Sequence, residues 1–363
     1  MALFKIGLGE PVLLFGPRLL TGSMALRSIR PLLALLGLAL LPTGAPAWDE
    51  GGHEIVATIS DGLLNAKARA AVEALAPQVP HKGQPYDAIT MACWMDDLRS
   101  RSEPMPDAGL FLSWHYIDIG LDGGDPKPPF EPGDDNPMHG NAVQALKRAM
   151  VVLQGGTDPY ITSPAMACAI AMHLVGDIHQ PLHASTKYFY SHGREMDDRG
   201  GNREGVDNGP LNEPRFNLHA FWDSAWRATM DDQGHVMLDE RFKPGRVHHP
   251  DEIAEVAEEM AHDDAPTAGT DLEPHFDSWA LESNQVARSF VYRDLTPTES
   301  LKYCRLSSSY ITEANRIARQ RLVLAAYRLA TLLNETLGAD HPGPAPASYP
   351  AGPAYNTYDS QGY

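Results

Sequence analysis

Histidine and aspartate recur at the spacing of one helical turn in two parts of the chain. His173 and Asp177 are four residues apart, and His219 and Asp223 repeat this spacing. Residues four apart lie on the same face of a helix, so each pair would place an imidazole beside a carboxylate. Five further His and Asp residues lie near these pairs or upstream of them: His53, Asp96, His115, Asp118 and His183. Imidazole and carboxylate together are typical ligands of zinc.

A single pair of this kind is more often a surface ion pair or a capped helical turn than a metal site. Here both pairs lie in apolar sequence, from Ala169 to Val175 and from Leu218 to Trp222. An unpaired charged side chain would be costly to bury there, and a bound metal removes that cost. The pattern therefore favours a metal site over solvated helix faces and core histidines. Because cysteine is scarce, the sequence argues against a Cys-type structural zinc site.

The composition excludes two broad classes of protein. The 363 residues are 43% hydrophobic and 21% charged, which is typical of a globular protein. The 47 Asp and Glu outnumber the 29 Lys and Arg, for a net charge of −18, which argues against a broad basic surface for duplex nucleic acid. Three cysteines exclude a disulfide framework and allow at most one bridge. Cys93 could bridge to Cys304, leaving Cys168 alone in a helix.

Residues 1–47 have the order of a secretory signal peptide. A basic stretch that begins at Met24 is followed by an apolar run, Pro31 to Leu41, and then by small residues that end at Ala47. The apolar run is too short to span a membrane, and a buried N-terminal helix is the less favoured interpretation. We expect Met24 to be the working start and cleavage to follow Ala47. The product would be secreted or periplasmic and would begin at Trp48.

Apolar residues at three- and four-residue spacing predict one mainly α-helical domain over residues 48–338. Ser163 followed by proline is a typical helix start, and Asn217 is a plausible cap for the second His/Asp pair. Residues 111–119 are the best candidate for an extended segment. Residues 339–363, rich in Pro, Ala, Gly and Tyr, are expected to form a disordered tail. Four segments show the helical spacing: Ile55 to Leu63, Ala68 to Leu75, Val143 to Leu153, and Ile311 to Leu333.

In their order, these motifs resemble the zinc-dependent, single-strand-specific nucleases of the S1/P1 nuclease family, which share a helical fold with bacterial zinc phospholipases C. The resemblance covers Trp48 to about Leu337. It implies a single-domain helical phosphodiesterase that hydrolyses single-stranded DNA and RNA to 5′-phosphate products and also acts on 3′-nucleotides. The motifs are Trp48-x4-His53, Trp94-x-Asp96-x2-Arg99, His115-x2-Asp118, His173-x3-Asp177-x5-His183, Gly200-Gly201-Asn202 and His219-x3-Asp223.

The resemblance further implies three zinc ions per chain, with Asp177 shared between two of them. One ligand would be the amino nitrogen of Trp48, which is free only after the predicted cleavage. The three ligand sets would be Asp96, His115, His173 and Asp177; His183, His219 and Asp223; and His53, Asp177 and the amino nitrogen and carbonyl oxygen of Trp48.

The resemblance also implies roles in the reaction. The nucleophile would be a zinc-activated hydroxide between the two ions that share Asp177. Arg99, three residues after the ligand Asp96, would clamp the transition-state phosphate, and Asn202 would help to position it. Tyr116 and Asp118 would form a base pocket, the first by stacking and the second by accepting a hydrogen bond.

Two other functions fit part of the pattern. A zinc phospholipase C would act on lipid headgroups, but in those relatives the last pair is His-x3-Glu and the first histidine lies further from the N-terminal tryptophan. A zinc-binding protein without catalysis would not explain Arg99 and Asn202. The mature chain has a net charge of −21, which suits single strands and 3′-nucleotides better than duplexes. We expect no membrane anchor; the oligomeric state stays open, with a monomer favoured.

Overall fold

The fold was obtained as a computed structural model, which describes residues 48–339 except 82, 101–107, 122–139, 192–193, 212, 214–215, 243–249, 294 and 298–302. Helices dominate this part of the chain, so the predicted mainly α-helical fold is confirmed. The predicted signal peptide, the Met24 start and the tail from residue 340 lie outside the described residues. In chain order the helices are α1 (Glu50–Leu63), α2 (Ala66–Leu75), α3 (Trp94–Ser100), α4 (Ala142–Leu153), α5 (Pro164–Asp177), α6 (Leu218–Asp223), α7 (Pro250–Asp263), α8 (Phe276–Val286) and α9 (Ser308–Thr336).

Short strands lie in the connections between the helices. An antiparallel hairpin pairs the first two strands, and a second hairpin pairs the fourth and fifth. The seventh strand is central in a three-stranded sheet, parallel to the third strand and antiparallel to the sixth. The strands are β1 (Tyr188–Ser191), β2 (Arg194–Asp197), β3 (Gly205–Val206), β4 (Ala228–Met230), β5 (Val236–Leu238), β6 (Thr296–Pro297) and β7 (Tyr303–Arg305).

Side-chain caps explain where several helices begin. Ser163 accepts a hydrogen bond from the Met166 backbone at the start of α5, and Pro164 is the first helical residue, as predicted. Asn217 caps α6 through the Ala220 backbone, which confirms the second predicted cap. These local signals set the starts of the two helices that carry the His/Asp pairs.

Helix α5 forms the centre of the core. Every residue from Ala165 to Asp177 is buried, and the helix packs against α1, α3, α4 and α9. A helix enclosed in this way has little freedom to move. The two potential ligands at its C-terminal end are therefore presented by a closely packed helix of the core.

Two sequence predictions are wrong. Ala108–His115 is a 3₁₀-helix, and residues 116–119 after it form no strand; an isolated bridge joins Gly120 to Thr186. Residues three apart share a face in a 3₁₀-helix, which lets the rings of Phe111 and Trp114 meet edge to face at 5.0 Å.

The three cysteines are free and buried, so the bridge between Cys93 and Cys304 does not form. The Cys93 thiol lies against the Glu50 carbonyl oxygen, whereas Cys304 lies in β7. Burial and neighbouring carboxylates raise the pKa of the Cys93 thiol, and burial raises that of Cys168 to about 12, which keeps both protonated. Within the described residues, no helix is long and apolar enough to cross a membrane.

Candidate metal centre

Six separate elements bring the predicted side-chain ligands together, among them α3, which supplies Asp96. Helix α5 supplies His173 and Asp177, α6 supplies His219 and Asp223, and α1 supplies His53. The remaining histidines lie on 3₁₀-helices, His115 at the end of Ala108–His115 and His183 within Pro181–Ala184. Three groups of these side chains have ligand atoms close enough to share an ion: His53, Asp96 and His173; His115, His173 and Asp177; and His183, His219 and Asp223.

The third group shows ring orientations that suit a cation. His183 Nδ1 donates to the His115 carbonyl at 2.7 Å, and His219 Nδ1 donates to the Gly200 carbonyl at 2.6 Å. In a neutral ring the other nitrogen then carries a lone pair. The two Nε2 atoms nevertheless lie 3.1 Å apart, each within 4 Å of Asp223 Oδ1. Facing lone pairs repel, and a metal ion between them would turn the repulsion into coordination.

Asp177 faces different histidines with its two oxygens. Its Oδ1 lies 3.3 Å from His53 Nε2. Its Oδ2 lies 3.1 Å from His115 Nδ1 and 3.3 Å from His173 Nε2. A carboxylate whose two oxygens face different histidines can bind two ions at once. Asp96 lies beside the same two histidines. Its Oδ1 is 3.9 Å from His115 Nδ1 and 4.0 Å from His173 Nε2.

A backbone carbonyl also orients His173, as for His183 and His219: its Nδ1 donates to the Ala92 carbonyl at 2.7 Å. Its ring stacks on that of His53, with centroids 3.9 Å apart. The indole of Trp48 is fully buried, and its Nε1 donates to the Gly176 carbonyl at 2.8 Å. The predicted N-terminal residue therefore lies against the residue just before Asp177.

Two glycines leave the space that the histidines need. A Cβ on Gly176 would lie 3.1 Å from His53 Nδ1, tighter than most real contacts. Gly200 has a φ of +58°, and a Cβ there would lie 2.6 Å from the Leu182 carbonyl oxygen. Glycine at position 200 thus allows the turn whose carbonyl orients His219.

The pKa values follow from this crowding. Burial lowers the pKa of His115 to about 4, against the opposing effect of Asp177. Burial also opposes charge on His173, but Asp177 and Asp96 raise its pKa to about 9. Burial and neighbouring aspartates raise the pKa of Asp223 well above its usual range. A divalent cation would offset the cost of ionising Asp223 in this environment.

The donor set fits a divalent metal such as zinc. The buried atoms His53 Nε2, Asp177 Oδ1 and Asp223 Oδ2 have no hydrogen-bond partner among the described residues. Buried polar atoms of this kind require an explanation, and an ion is one. Imidazoles with carbonyl-fixed tautomers beside carboxylates are the usual surroundings of zinc.

The sequence signature described as S1/P1 Nuclease matches residues 48–338. The chain belongs to the S1/P1 nuclease family. It is 26% identical over 329 residues to Endonuclease 1 of Arabidopsis thaliana, covering 87% of this chain and 96% of that protein. It is 25% identical over 320 residues to Nuclease S1 of Aspergillus oryzae (strain ATCC 42149 / RIB 40), covering 83% and 94%. The predicted family is confirmed. Its members are metal-dependent nucleases, so the chain is a hydrolase of this class, with His/Asp clusters able to hold metal.

Four further residues are predicted to contact the substrate. The backbone of Arg99 lies in α3, but its side chain lies outside the described residues. The half-buried Asn202 donates to the Arg199 carbonyl at 2.9 Å within the turn that contains Gly200. Tyr116 is 41% exposed, and its carbonyl accepts from Ala142. Burial and two nearby carboxylates, those of Asp197 and Asp198, raise the pKa of Asp118 to about 6.

Two residues of this nuclease centre were missed by sequence reasoning. Gln180 Nε2 donates to Asp223 Oδ1 at 2.7 Å, so it holds one oxygen of a predicted ligand. Asp49 is buried beside Trp48 and accepts from Arg227 Nε at 2.6 Å. Both contacts join distant parts of the chain, and neither residue has a partner at metal-ligand spacing in the sequence. His179, which lies between Asp177 and His183 in the sequence, is buried and its Nδ1 donates to the Val175 carbonyl.

Proposed function

We propose that this chain is a secreted nuclease that uses three zinc ions to hydrolyse single-stranded DNA and RNA to 5′-phosphate products, and 3′-nucleotides to nucleosides and inorganic phosphate. The observation that carries the proposal is the division of Asp177 between two groups of histidines, His53 on one side and His115 with His173 on the other. A carboxylate that serves two sites supports a cluster of ions over a single ion. The mature nuclease would be residues 48–338, after cleavage following Ala47.

The three ligand sets would be those that the family resemblance implies, with the amino nitrogen and carbonyl oxygen of Trp48 completing the set of His53 and Asp177. Zinc in these sites would supply positive charge for the phosphate and lower the pKa of water toward neutrality. The carbonyls of Ala92, His115 and Gly200 keep three imidazoles in the tautomer that presents Nε2.

The remaining site residues would act on the substrate. Arg99 follows Asp96 by one helical turn of α3, which supports its role as a clamp on the phosphate. Asn202 would help to position that phosphate. The exposed ring of Tyr116 can stack on a base, and Asp118 two residues later can accept a hydrogen bond from it.

The net charge of the mature chain supports single strands as substrate. At −21 it repels a stiff duplex at long range, while one flexible phosphate can still reach a pocket whose positive charge is inorganic. The predicted pocket contacts few phosphates of the substrate. A 3′-nucleotide, which has a single 3′-phosphate, therefore also suits it.

A nuclease assay with chelator tests the proposal. The chain starting at Trp48 is incubated with single-stranded DNA, single-stranded RNA, duplex DNA and phosphatidylcholine vesicles, before and after metal removal. We expect hydrolysis of the single strands that chelator abolishes and zinc restores. Phospholipid hydrolysis without nucleic-acid hydrolysis would favour a phospholipase C, and tight zinc binding without turnover would favour a binding protein.

Matched variants connect the activity to the site. His219→Asn removes a buried histidine four residues from Asp223, and His235→Asn removes a partly exposed histidine four residues from Asp231. The first should lose hydrolysis and zinc together, and the second should retain both. Equal losses in the two variants would contradict the assignment.

A further inference from the structure

Asp49 is a buried carboxylate with partners on both oxygens. It is 2% exposed. Its Oδ1 accepts from the Gly52 backbone at 3.1 Å and from Trp226 Nε1 at 2.9 Å. Its Oδ2 accepts from Arg227 Nε at 2.6 Å, a charge-assisted bond inside the protein. The Gly52 contact is an ordinary helix cap, but the contacts to Trp226 and Arg227 are not needed for capping.

These partners belong to the segment that follows Asp223. Trp226 and Arg227 lie in the 3₁₀ turn Ala225–Arg227, directly after α6. The backbone amide of Asp49 also donates to the Asp223 carbonyl at 3.0 Å. Arg227 is itself buried and donates through Nη1 to the Asp239 carbonyl at 2.8 Å. Asp49 therefore ties the start of α1 to the end of α6.

Residue 48 is consequently held from two directions. On one side its indole donates to the Gly176 carbonyl on α5. On the other side the next peptide nitrogen, that of Asp49, is bonded to α6. Gly52 packs closely against the Trp48 side chain, since a Cβ at position 52 would lie 2.8 Å from the Cβ of Trp48. The backbone of Trp48 thus has little freedom between the helices that carry Asp177 and Asp223.

We propose that Asp49 is a positioning residue for the amino nitrogen of Trp48. It holds that nitrogen where His53 and Asp177 need it to complete the third zinc set, and this role rests on the proposed function. The sequence separation between Asp49 and Arg227 means that the amine is placed by the tertiary fold and not by α1 alone. Loss of Asp49 should therefore weaken one zinc site selectively.

The test compares two substitutions with matched chemistry. Asp49→Ser keeps a good helix cap for Gly52 but cannot reach Trp226 and Arg227. Asp158→Ser is the control, because Asp158 is also buried, accepts from the Tyr160 and Ile161 backbones and pairs with Arg148 at 2.9 Å. Asp158 precedes α5, at the opposite end from the predicted ligands. Both variants should lower the melting temperature by removing a buried ion pair.

The readout is the number of zinc ions retained per folded chain, measured by native mass spectrometry over a chelator series on protein that begins at Trp48. In Asp49→Ser one ion should leave at about 10- to 100-fold lower chelator concentration than in wild type, while the others stay. Asp158→Ser should retain three ions as wild type does. Unchanged retention in Asp49→Ser, or equal loss in both variants, would overturn the positioning role. Fewer than three ions in wild type would instead contradict the proposed function and this role with it.

Discussion

His183 and His219 face each other through Nε2 atoms only 3.1 Å apart, while each ring donates its Nδ1 hydrogen to a backbone carbonyl. The carbonyls leave both lone pairs directed at the same region beside Asp223. Burial lowers the pKa of His183, which disfavours a proton as the bridging cation. The arrangement is therefore preorganised for a metal ion, and it depends on groups outside the ligands themselves.

Gly200→Ala should disturb this arrangement through the backbone. An alanine at a φ of +58° costs about 1–2 kcal/mol, and its Cβ would also collide with the Leu182 carbonyl oxygen. Gly155→Ala is the control, because Gly155 has a φ of +86° and open space around it. Zinc titration and thermal melting should show weaker zinc binding and the larger stability loss in Gly200→Ala only. Equal behaviour of the two variants would contradict the role of the turn.

Gln180→Leu should loosen Asp223. The substitution keeps the side chain's approximate size but removes the hydrogen bond that holds Asp223 Oδ1. Because outer partners of metal ligands tune affinity, zinc binding to the set of His183, His219 and Asp223 should weaken about 10- to 100-fold. Chelator competition measures this. Gln78→Leu, at an exposed position, should change nothing, and wild-type affinity in Gln180→Leu would count against the role of Gln180.

Stability should depend on pH differently with and without zinc. In protein stripped of metal, the raised pKa of His173, about 9, stabilises the fold fully below about pH 6.5, and this contribution is lost as the pH rises through 9. The raised pKa of Asp223 acts in the same direction, because its ionisation destabilises the fold. Zinc replaces the proton, so the loaded protein should not show this decline. Thermal melts from pH 6.5 to 9 should show a widening gap between the two forms, and a constant gap would contradict the account.

Asp118→Asn should change how base preference depends on pH. Burial and two neighbouring carboxylates raise the pKa of Asp118 to about 6, so it gains a proton, and loses acceptor strength, within the working range of many assays. The ratio of kcat/KM between substrates with different bases should therefore change near pH 6 in wild type and stay flat in Asp118→Asn. The absence of a pH 6 step in wild type would remove Asp118 from the base pocket.

Sequence periodicity predicted the helical fold because helices such as α2 and α4 bury one apolar face, whereas the central helix α5 is buried all round. The start of α5 was predictable from Ser163 and Pro164, and the spacing of His173 and Asp177 indicated a shared face. The 3₁₀-helix at Ala108–His115 was not predicted, since a short apolar run does not distinguish it from a strand.

The supporting contacts of the site could not be read from the sequence. Gln180 meets Asp223 across 43 positions, and Asp49 meets Arg227 across 178. Contacts of this kind depend on tertiary packing, and neither Gln180 nor Asp49 belongs to a recognisable sequence motif. The candidate ligands could be predicted because imidazole and carboxylate groups at metal-ligand spacing are recognisable in a sequence, whereas a residue that orients a ligand can be of several types and come from anywhere in the chain.

The central claim is a cluster of three zinc ions completed by the amino nitrogen of Trp48. Zinc content and N-terminal mass measured on one zinc-replete sample of the secreted protein test it most directly. The account predicts about three zinc ions per chain and Trp48 as the first residue. Two zinc ions or fewer, or a first residue other than Trp48 on fully active protein, would contradict it.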